Sequence, residues 1–316
     1  MPMRRCKAVS AILLAATLLA QGGCARLGGN RQRNGKDAPG AQGGQPRPAP
    51  HFRTGFNLFT PEQDVKLGRE SARQVAAEVT LLSDAAVNEY VRALGTRLAA
   101  AAPGYDYPYQ FQVISTDEVN AFALPGGFIY INAGAVTAAR TEGELAGVLA
   151  HEISHVALRH GTNQASQAYI AHAGLSVLGR IVGGGSTEFG QIINAVGGAG
   201  ANMLFLRFSR TAETQADVQG AEIMAAAGYD PRDMVSFFET LKRLGPADVP
   251  DMLSDHPDPG DRAAAINRQL PSLQLAAEPV RDTEEFRQVK SRLQRMALGG
   301  SVGLVRTGPI GPGGPT

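Results

Sequence analysis

With 316 residues, 43% hydrophobic content and 30 basic against 29 acidic side chains, the chain can build one substantial domain or two small ones and is not disordered as a whole. A formal net charge of +1 excludes the basic footprint of a nucleic-acid binder. Loss of Arg4, Arg5 and Lys7 with a leader would take that charge from +1 to about −2.

The leader is the first element. "MPMRRCKAVSAILLAATLLAQGGC" joins a basic start to an apolar run from Ala8 to Ala20 that is short for a bilayer span, then small residues, so residues 1–23 read as an export signal. The two cysteines are Cys6 within it and Cys24 at its end, which leaves the exported body no internal disulfide and favours acylation of Cys24. The ending is similar to a bacterial lipoprotein signal, although Gln21 stands where an aliphatic residue is usual. An ordinary cleaved signal with an incidental Cys24 is the competing reading. With a lipid anchor, Ala25 replaces the aspartate that retains many Gram-negative lipoproteins at the inner membrane, so the outer membrane is the expected address. Residues 24–53, including "GGNRQRNGKDAPGAQGGQPRPAP", are too poor in apolar surface to offset the entropy of ordering and read as a flexible tether. Residues 54–298 read as one folded domain, and residues 299–316, ending "GPIGPGGPT", as a tail.

Within the domain, Thr60 as N-cap and Pro61 at the first helical position open a helix, and a second is predicted over residues 83–101. "YQFQVI" and "NAFALPGGFIYIN" carry the aromatic and β-branched residues of a short sheet, with a turn at Pro125, Gly126 and Gly127. From Ala133 onward the chain reads as helical. The order predicts an α+β fold, mainly helical, with its helices gathered on one side of a small β-sheet.

"LAGVLAHEISHVALRHG" falls on the best-marked helix. Thr141 can cap it in a capping box with Glu144, and Arg159 and His160 stand in its expected last turn before Gly161. Four residues advance a helix by about 400°, so His151 and His155 project from one face, one turn apart. Two imidazole nitrogens at that spacing can share one zinc ion, and Glu152, about 100° round, can serve as general base towards a water there. The plainer reading, an amphipathic helix matching by chance, leaves His and Glu unpaired in apolar surroundings at a cost of several kcal/mol. His160, about 140° beyond His155, reads as a helix-end residue rather than a ligand.

"AHAGLSVLGRIVGGG" and "FGQIINAVGGAGANMLFLRF" are interrupted by Arg180 and several glycines and read as core helices and connections rather than membrane spans. In "FSRTAETQADVQGAEIM", Ser209 can cap a helix that carries Glu213 and Asp217 on one face. Such a pair is usually just solvated; alternatively Glu213 ligates a metal and Asp217 supports a ligating histidine by accepting its other ring proton.

"HEISHVALRHG" followed by "FSRTAETQAD" and preceded by "VNAFALPGGFIYINAGAV" resembles the membrane-associated gluzincin family that includes the HtpX heat-shock protease, the CaaX prenyl protease and the BepA-type periplasmic proteases. The resemblance covers residues 62–293. It implies a zincin-type metallopeptidase domain whose edge strand borders the active-site helix. It implies one zinc held by His151, His155 and Glu213, with Glu152 as general base and Asp217 behind a ligand. It also implies that Asn120, Ala121, Phe122 and Ala123 form an edge strand along which an extended substrate pairs, which suits unfolded proteins of varied sequence. "LSDHPDPGDRAAAI" is similar to an H-P-x-x-x-x-R segment near the family's active site, which points His256 towards the metal. Two roles stay open for it: a hydrogen bond to a developing oxyanion, or a fourth ligand that keeps the resting enzyme latent. The chain departs from the family's membrane-embedded members in lacking their transmembrane helices, and from the BepA type in lacking a helical-repeat domain. The resulting expectation is a lipid-anchored zinc endopeptidase of the periplasm acting on unfolded or misassembled envelope proteins, with no nucleic-acid partner. The alternative is a zinc-containing lipoprotein chaperone that binds unfolded outer-membrane proteins without cutting them.

Overall fold

The computed structural model describes residues 47, 50–173, 208–244, 256 and 259–302. The leader, Cys24, most of the tether, the Gly-rich stretches beyond residue 173 and the end of the tail lie outside the described residues. No described helix is long and apolar enough to cross a membrane.

Helix α1 (Pro61–Glu78) starts at a reciprocal cap: the Thr60 hydroxyl accepts the Gln63 N–H at 3.3 Å, and the Gln63 side chain accepts the Thr60 N–H at 2.7 Å. Asp84 caps α2 (Ala85–Ala100), accepting the Val87 N–H at 3.1 Å. Three strands follow, β1 (Gln110–Ile114), β2 (Ala121–Leu124) and β3 (Phe128–Asn132). They are ordered β1-β3-β2, with β1 parallel and β2 antiparallel to β3. The turn between β2 and β3 places Gly126 and Gly127 at φ of 75° and 101°, where a side chain would be strained. A Cβ on Gly126 would also lie 2.4 Å from Val65 Cα of α1.

The remaining helices among the described residues are α3 (Ala133–Ala138), α4 (Glu142–Ala157), α5 (His160–Ala173), α6 (Arg210–Ala226), α7 (Arg232–Leu244), α8 (Pro259–Gln269) and α9 (Glu284–Val302). They do not gather on one side of the sheet. Every residue of β3 is buried: Ile129 and Ile131 enter a core shared with α2, α4, α6 and α7, while Phe128 and Tyr130 enter a second core with Leu67 and Val75 of α1 and Ala165 and Tyr169 of α5. "FIYIN" lacks the apolar–polar alternation of a strand with one wet face, and a strand covered on both faces has that pattern.

Helix α4 is buried along its whole length. Leu145, Leu149 and Ile153, spaced four apart and with no exposed surface, form its anchoring stripe. Each such side chain contributes about 1.5–3 kcal/mol through its burial. Close approach of the neighbouring helices rests on glycine. A Cβ at Gly147 would sit 2.8 Å from Met234 Cα of α7, and one at Gly220 of α6 would press on the α4 backbone at 3.3 Å from His151 N. Gly220 lies one turn beyond Asp217, so this contact sets the depth at which α6 presents its acids to α4. Strand β2 runs beside α4. The outer side of β1 is bridged by Leu81 to Ile114, whereas β2 pairs with β3 alone among the described strands and so forms a sheet edge.

Two local expectations at the ends of α4 are corrected. Thr141 caps the start, accepting the Glu144 N–H at 3.2 Å, but Glu144 does not close the box. Its carboxylate instead takes the Arg140 backbone N–H at 2.8 Å and the Arg140 guanidinium at 2.6 Å. At the far end the left-handed position is Arg159, at φ 58°, two residues before Gly161, and His160 begins α5. Arg159 is held there by Asp64, with Nε to Oδ2 at 2.6 Å and Nη2 to Oδ1 at 3.0 Å, and by the Phe59 carbonyl at 2.6 Å. These bonds offset the roughly 1–2 kcal/mol that a left-handed residue with a side chain costs. Ahead of Thr54, Arg47 donates to the carbonyls of Ala99 and Ala102, and the His51 N–H donates to Gln219.

Candidate metal centre

Four buried side chains from three parts of the chain converge. Helix α4 presents His151 and His155 through Nε2, α6 presents Glu213, and the residue ahead of α8 presents His256 through Nδ1. His151 Nε2 lies 3.0 Å from His155 Nε2, 3.3 Å from Glu213 Oε2 and 3.3 Å from His256 Nδ1. His155 Nε2 lies 3.5 Å from Glu213 Oε1, and His256 Nδ1 lies 3.0 Å from Glu213 Oε2.

These separations test the fit of a zinc ion. A tetrahedral centre with bonds of about 2.0–2.1 Å separates its ligand atoms by about 3.3–3.4 Å, close to every edge measured. The protonation pattern agrees. Asp217 Oδ1 lies 2.9 Å from His151 Nδ1, and a carboxylate only accepts, so Nδ1 carries a proton and Nε2 is the nitrogen left to face a metal.

The electrostatics point the same way. Burial and the Arg262 charge oppose protonation of His151, but its bonds to Asp217 and Glu213 outweigh them and push it up to about 9. Carboxylates that attract a proton there attract a metal ion equally. Burial works against the charge on Glu213, yet His256, His151 and His155 hold its carboxyl well below the usual carboxylate range. Burial keeps His155 well below an ordinary histidine despite the neighbouring Glu213, and so neutral and able to ligate.

Glu152 is 1% exposed and neither carboxylate oxygen has a hydrogen-bond partner among the described residues. Burial raises its pKa, although the facing His256 and His151 resist. Asp217 is gripped by Arg262 through two bonds of 2.7 Å, and Arg262 Nη1 also reaches the His256 carbonyl at 3.5 Å. One arginine thus ties the support of His151 to the segment that carries His256.

The structure brings together His151, His155, Glu213, Asp217, Glu152 and His256, all singled out in the sequence. Asn120 precedes β2, its carbonyl accepting the Asn132 N–H at 2.9 Å, and Ala121, Phe122 and Ala123 lie within the strand. Three neighbours escaped the sequence reading. Arg262 ends the H-P-x-x-x-x-R segment, whose spacing from His256 is the signal for it, but the sequence assigns it no role at the site. Phe208 stacks on His155 with ring centroids 4.1 Å apart. His160 lies 3.0 Å from His155, Nδ1 to Nδ1, because the chain breaks at Arg159 instead of continuing one helix.

Two histidines and a carboxylate on facing helices, with an unpaired glutamate beside them, define a zincin-type centre. Residues 85–270 match the family described as Peptidase family M48, and the chain belongs to that family. It is 31% identical over 238 residues to the beta-barrel assembly-enhancing protease of Escherichia coli K12, covering 73% of this chain and 48% of that protein. The protein of the same name from Yersinia pestis is 30% identical over 241 residues, covering 74% of this chain and 49% of the relative. Metalloprotease LoiP of Escherichia coli K12 is 27% identical over 207 residues, covering 65% of this chain and 79% of LoiP. The chain therefore spans about half the length of the beta-barrel assembly-enhancing proteases it matches.

Proposed function

We propose that the chain is a zinc-dependent endopeptidase acting on unfolded or misassembled proteins of the Gram-negative envelope. In this reading residues 1–23 direct export, acylated Cys24 and the tether to residue 53 hold the protein on the periplasmic side of a membrane, residues 54–298 form the peptidase domain and residues 299–316 its tail. Family membership and the names of the relatives support the peptidase activity and the envelope setting. The observation that carries the proposal is Glu152: a buried carboxylate with no hydrogen-bond partner among the described residues, faced only by His256 Nε2 at 3.6 Å, has no task at a purely structural zinc site. That same carboxylate argues against a chaperone that only binds.

His151, His155 and Glu213 would hold the ion. Bound zinc supplies Lewis acidity, which lowers the pKa of a water and polarises a peptide carbonyl. Glu152, its pKa raised by burial, would accept a proton from the attacking water and return it to the leaving amine. Asp217 holds His151 in the ligating tautomer, and Arg262 keeps Asp217 ionised and aligned. The β2 edge, at Ala121, Phe122 and Ala123, would offer backbone partners to an extended substrate beside α4. A small apolar recess of about 30 Å³ between α4 and α7, walled by Val148, Met234, Phe237, Phe238 and Leu241, adjoins Glu152.

His256 favours the latent role of the two left open. Its Nδ1 lies 3.3 Å from His151 Nε2 and 3.0 Å from Glu213 Oε2, near enough to serve as a fourth ligand, which would hold the resting enzyme latent. Digestion of casein or an unfolded porin with and without a chelator tests the proposal. Cleavage that the chelator abolishes is expected; binding without cleavage under either condition would support the chaperone instead.

A further inference from the structure

His160 has no task in the mechanism above, yet it is buried against a proposed ligand. Its Nδ1 lies 3.0 Å from Nδ1 of His155, and its Nε2 lies 3.2 Å from Gln215 Oε1. Hydrogen-bond logic fixes every proton in this row once His155 Nε2 faces a metal. His155 must then carry its proton on Nδ1, His160 Nδ1 must accept it, and the remaining proton of His160 must sit on Nε2, where the Gln215 carbonyl oxygen accepts it. No ring nitrogen of His155 or His160 is left over.

The backbone is bent to make this contact. In a continuous helix a residue five beyond His155 points about 140° away. The left-handed turn at Arg159, held by Asp64 and Phe59, ends α4 early and returns His160 to the ring it would otherwise miss. A non-glycine residue kept left-handed by an ion pair to a buried aspartate is a strain that the surroundings hold in place, and such strain clusters at functional sites.

We infer that His160 is a positioning residue of the metal centre, accepting the Nδ1 proton of His155 so that Nε2 is presented to zinc in one tautomer and one ring orientation. It is the counterpart of Asp217 behind His151, with a neutral imidazole in place of a carboxylate. The two histidine ligands are therefore backed unequally, His151 by a charged group and His155 by an uncharged one. Phe208 flattens the His155 ring from its face but bears no acceptor, so the in-plane orientation rests on His160.

The inference rests on zinc occupying the proposed centre, and its test reads metal binding rather than activity. Zinc affinity is measured on the full chain by competition with a chromophoric chelator for wild type, His160→Phe and His160→Gln, with the cobalt(II) absorption spectrum as a second readout. His160→Phe keeps a planar ring without an acceptor and should weaken zinc by about 10–100-fold and alter the cobalt bands. His160→Gln retains an acceptor oxygen and should stay within a few-fold of wild type. Wild-type affinity and spectrum in the phenylalanine variant would overturn the inference, as would equal losses in both variants, which would mean that volume alone matters. If His160→Phe does not fold, Gln215→Leu decides: it touches no ligand, releases only the far end of His160, and should weaken zinc in the same direction by a smaller factor. Unchanged affinity there would also overturn it. Failure of the wild type to bind one zinc per chain would overturn both this inference and the proposed function, whereas normal wild-type binding with indifferent variants would overturn this inference alone.

Discussion

Replacing Glu152 by glutamine should abolish cleavage and raise stability together. The side chain is 1% exposed and both oxygens lack hydrogen-bond partners among the described residues, with His256 Nε2 facing Oε1 at 3.6 Å, so the fold bears a buried carboxylate that no neighbouring donor bonds. The amide has nearly the same shape and its polar atoms remain unpaired, so only the cost of the charge is relieved. We put that relief at about 1–2 kcal/mol, the lower part of the range for an unsatisfied buried group. At this domain size it corresponds to a rise in Tm of about 2–8 °C. The melt is run on metal-stripped protein, because a bound cation would itself offset the charge. Proteolysis should fall by about 10²–10⁴-fold, the contribution of a positioned general base, while zinc content stays that of wild type. A glutamine variant that melts lower than wild type would show that Glu152 has structural partners, and one that loses zinc would make Glu152 a ligand; either result refutes the assignment.

Asp233 of α7 is pushed up to about 6 by burial, aided by Asp230 and Glu144 and opposed by Arg281, so the folded state binds its proton more tightly than the unfolded chain. Stability therefore declines as pH rises from about 4 to 6, and Asp233→Asn should melt higher at pH 7 with the advantage gone by about pH 4. The full displacement converts to at most about 3 kcal/mol; a variant less stable at pH 7 contradicts this. His256→Ala, on the latent reading, should increase cleavage or provoke self-cleavage with zinc retained. A drop in turnover of about a hundredfold would restore the oxyanion role. Cys24→Ala should move the protein from the membrane to the soluble periplasmic fraction without loss of peptidase activity, and membrane retention would point to the apolar stretches beyond residue 173.

What was legible in the sequence follows from the range of the forces involved. His151, Glu152 and His155 lie within one and a half helical turns, so their spacing alone specifies a shared face, and Thr60 and Ser209 announce their helices by local capping. Glu213 and Asp217 look like an ordinary solvated pair until resemblance assigns them, because the contact that buries them is made by Gly220 against α4. The break at Arg159 was not legible, since its cause is Asp64, which lies 95 residues earlier. Gly161 was the reasonable local choice for the helix end, and a distant carboxylate overrode it. His160 went unrecognised for the same reason: its angle was measured along a helix that does not continue. The helices on the second face of the sheet had a visible signal in "FIYIN", where every position is apolar except the last.

The central claim is that His151, His155 and Glu213 hold one catalytic zinc that Glu152 serves. It is tested most directly by metal analysis of purified wild type, His151→Ala and Glu152→Gln beside digestion of an unfolded outer-membrane protein. The account predicts one zinc per chain and cleavage in wild type, neither in His151→Ala, and zinc without cleavage in Glu152→Gln. Full zinc content in His151→Ala, or undiminished cleavage in Glu152→Gln, would contradict it.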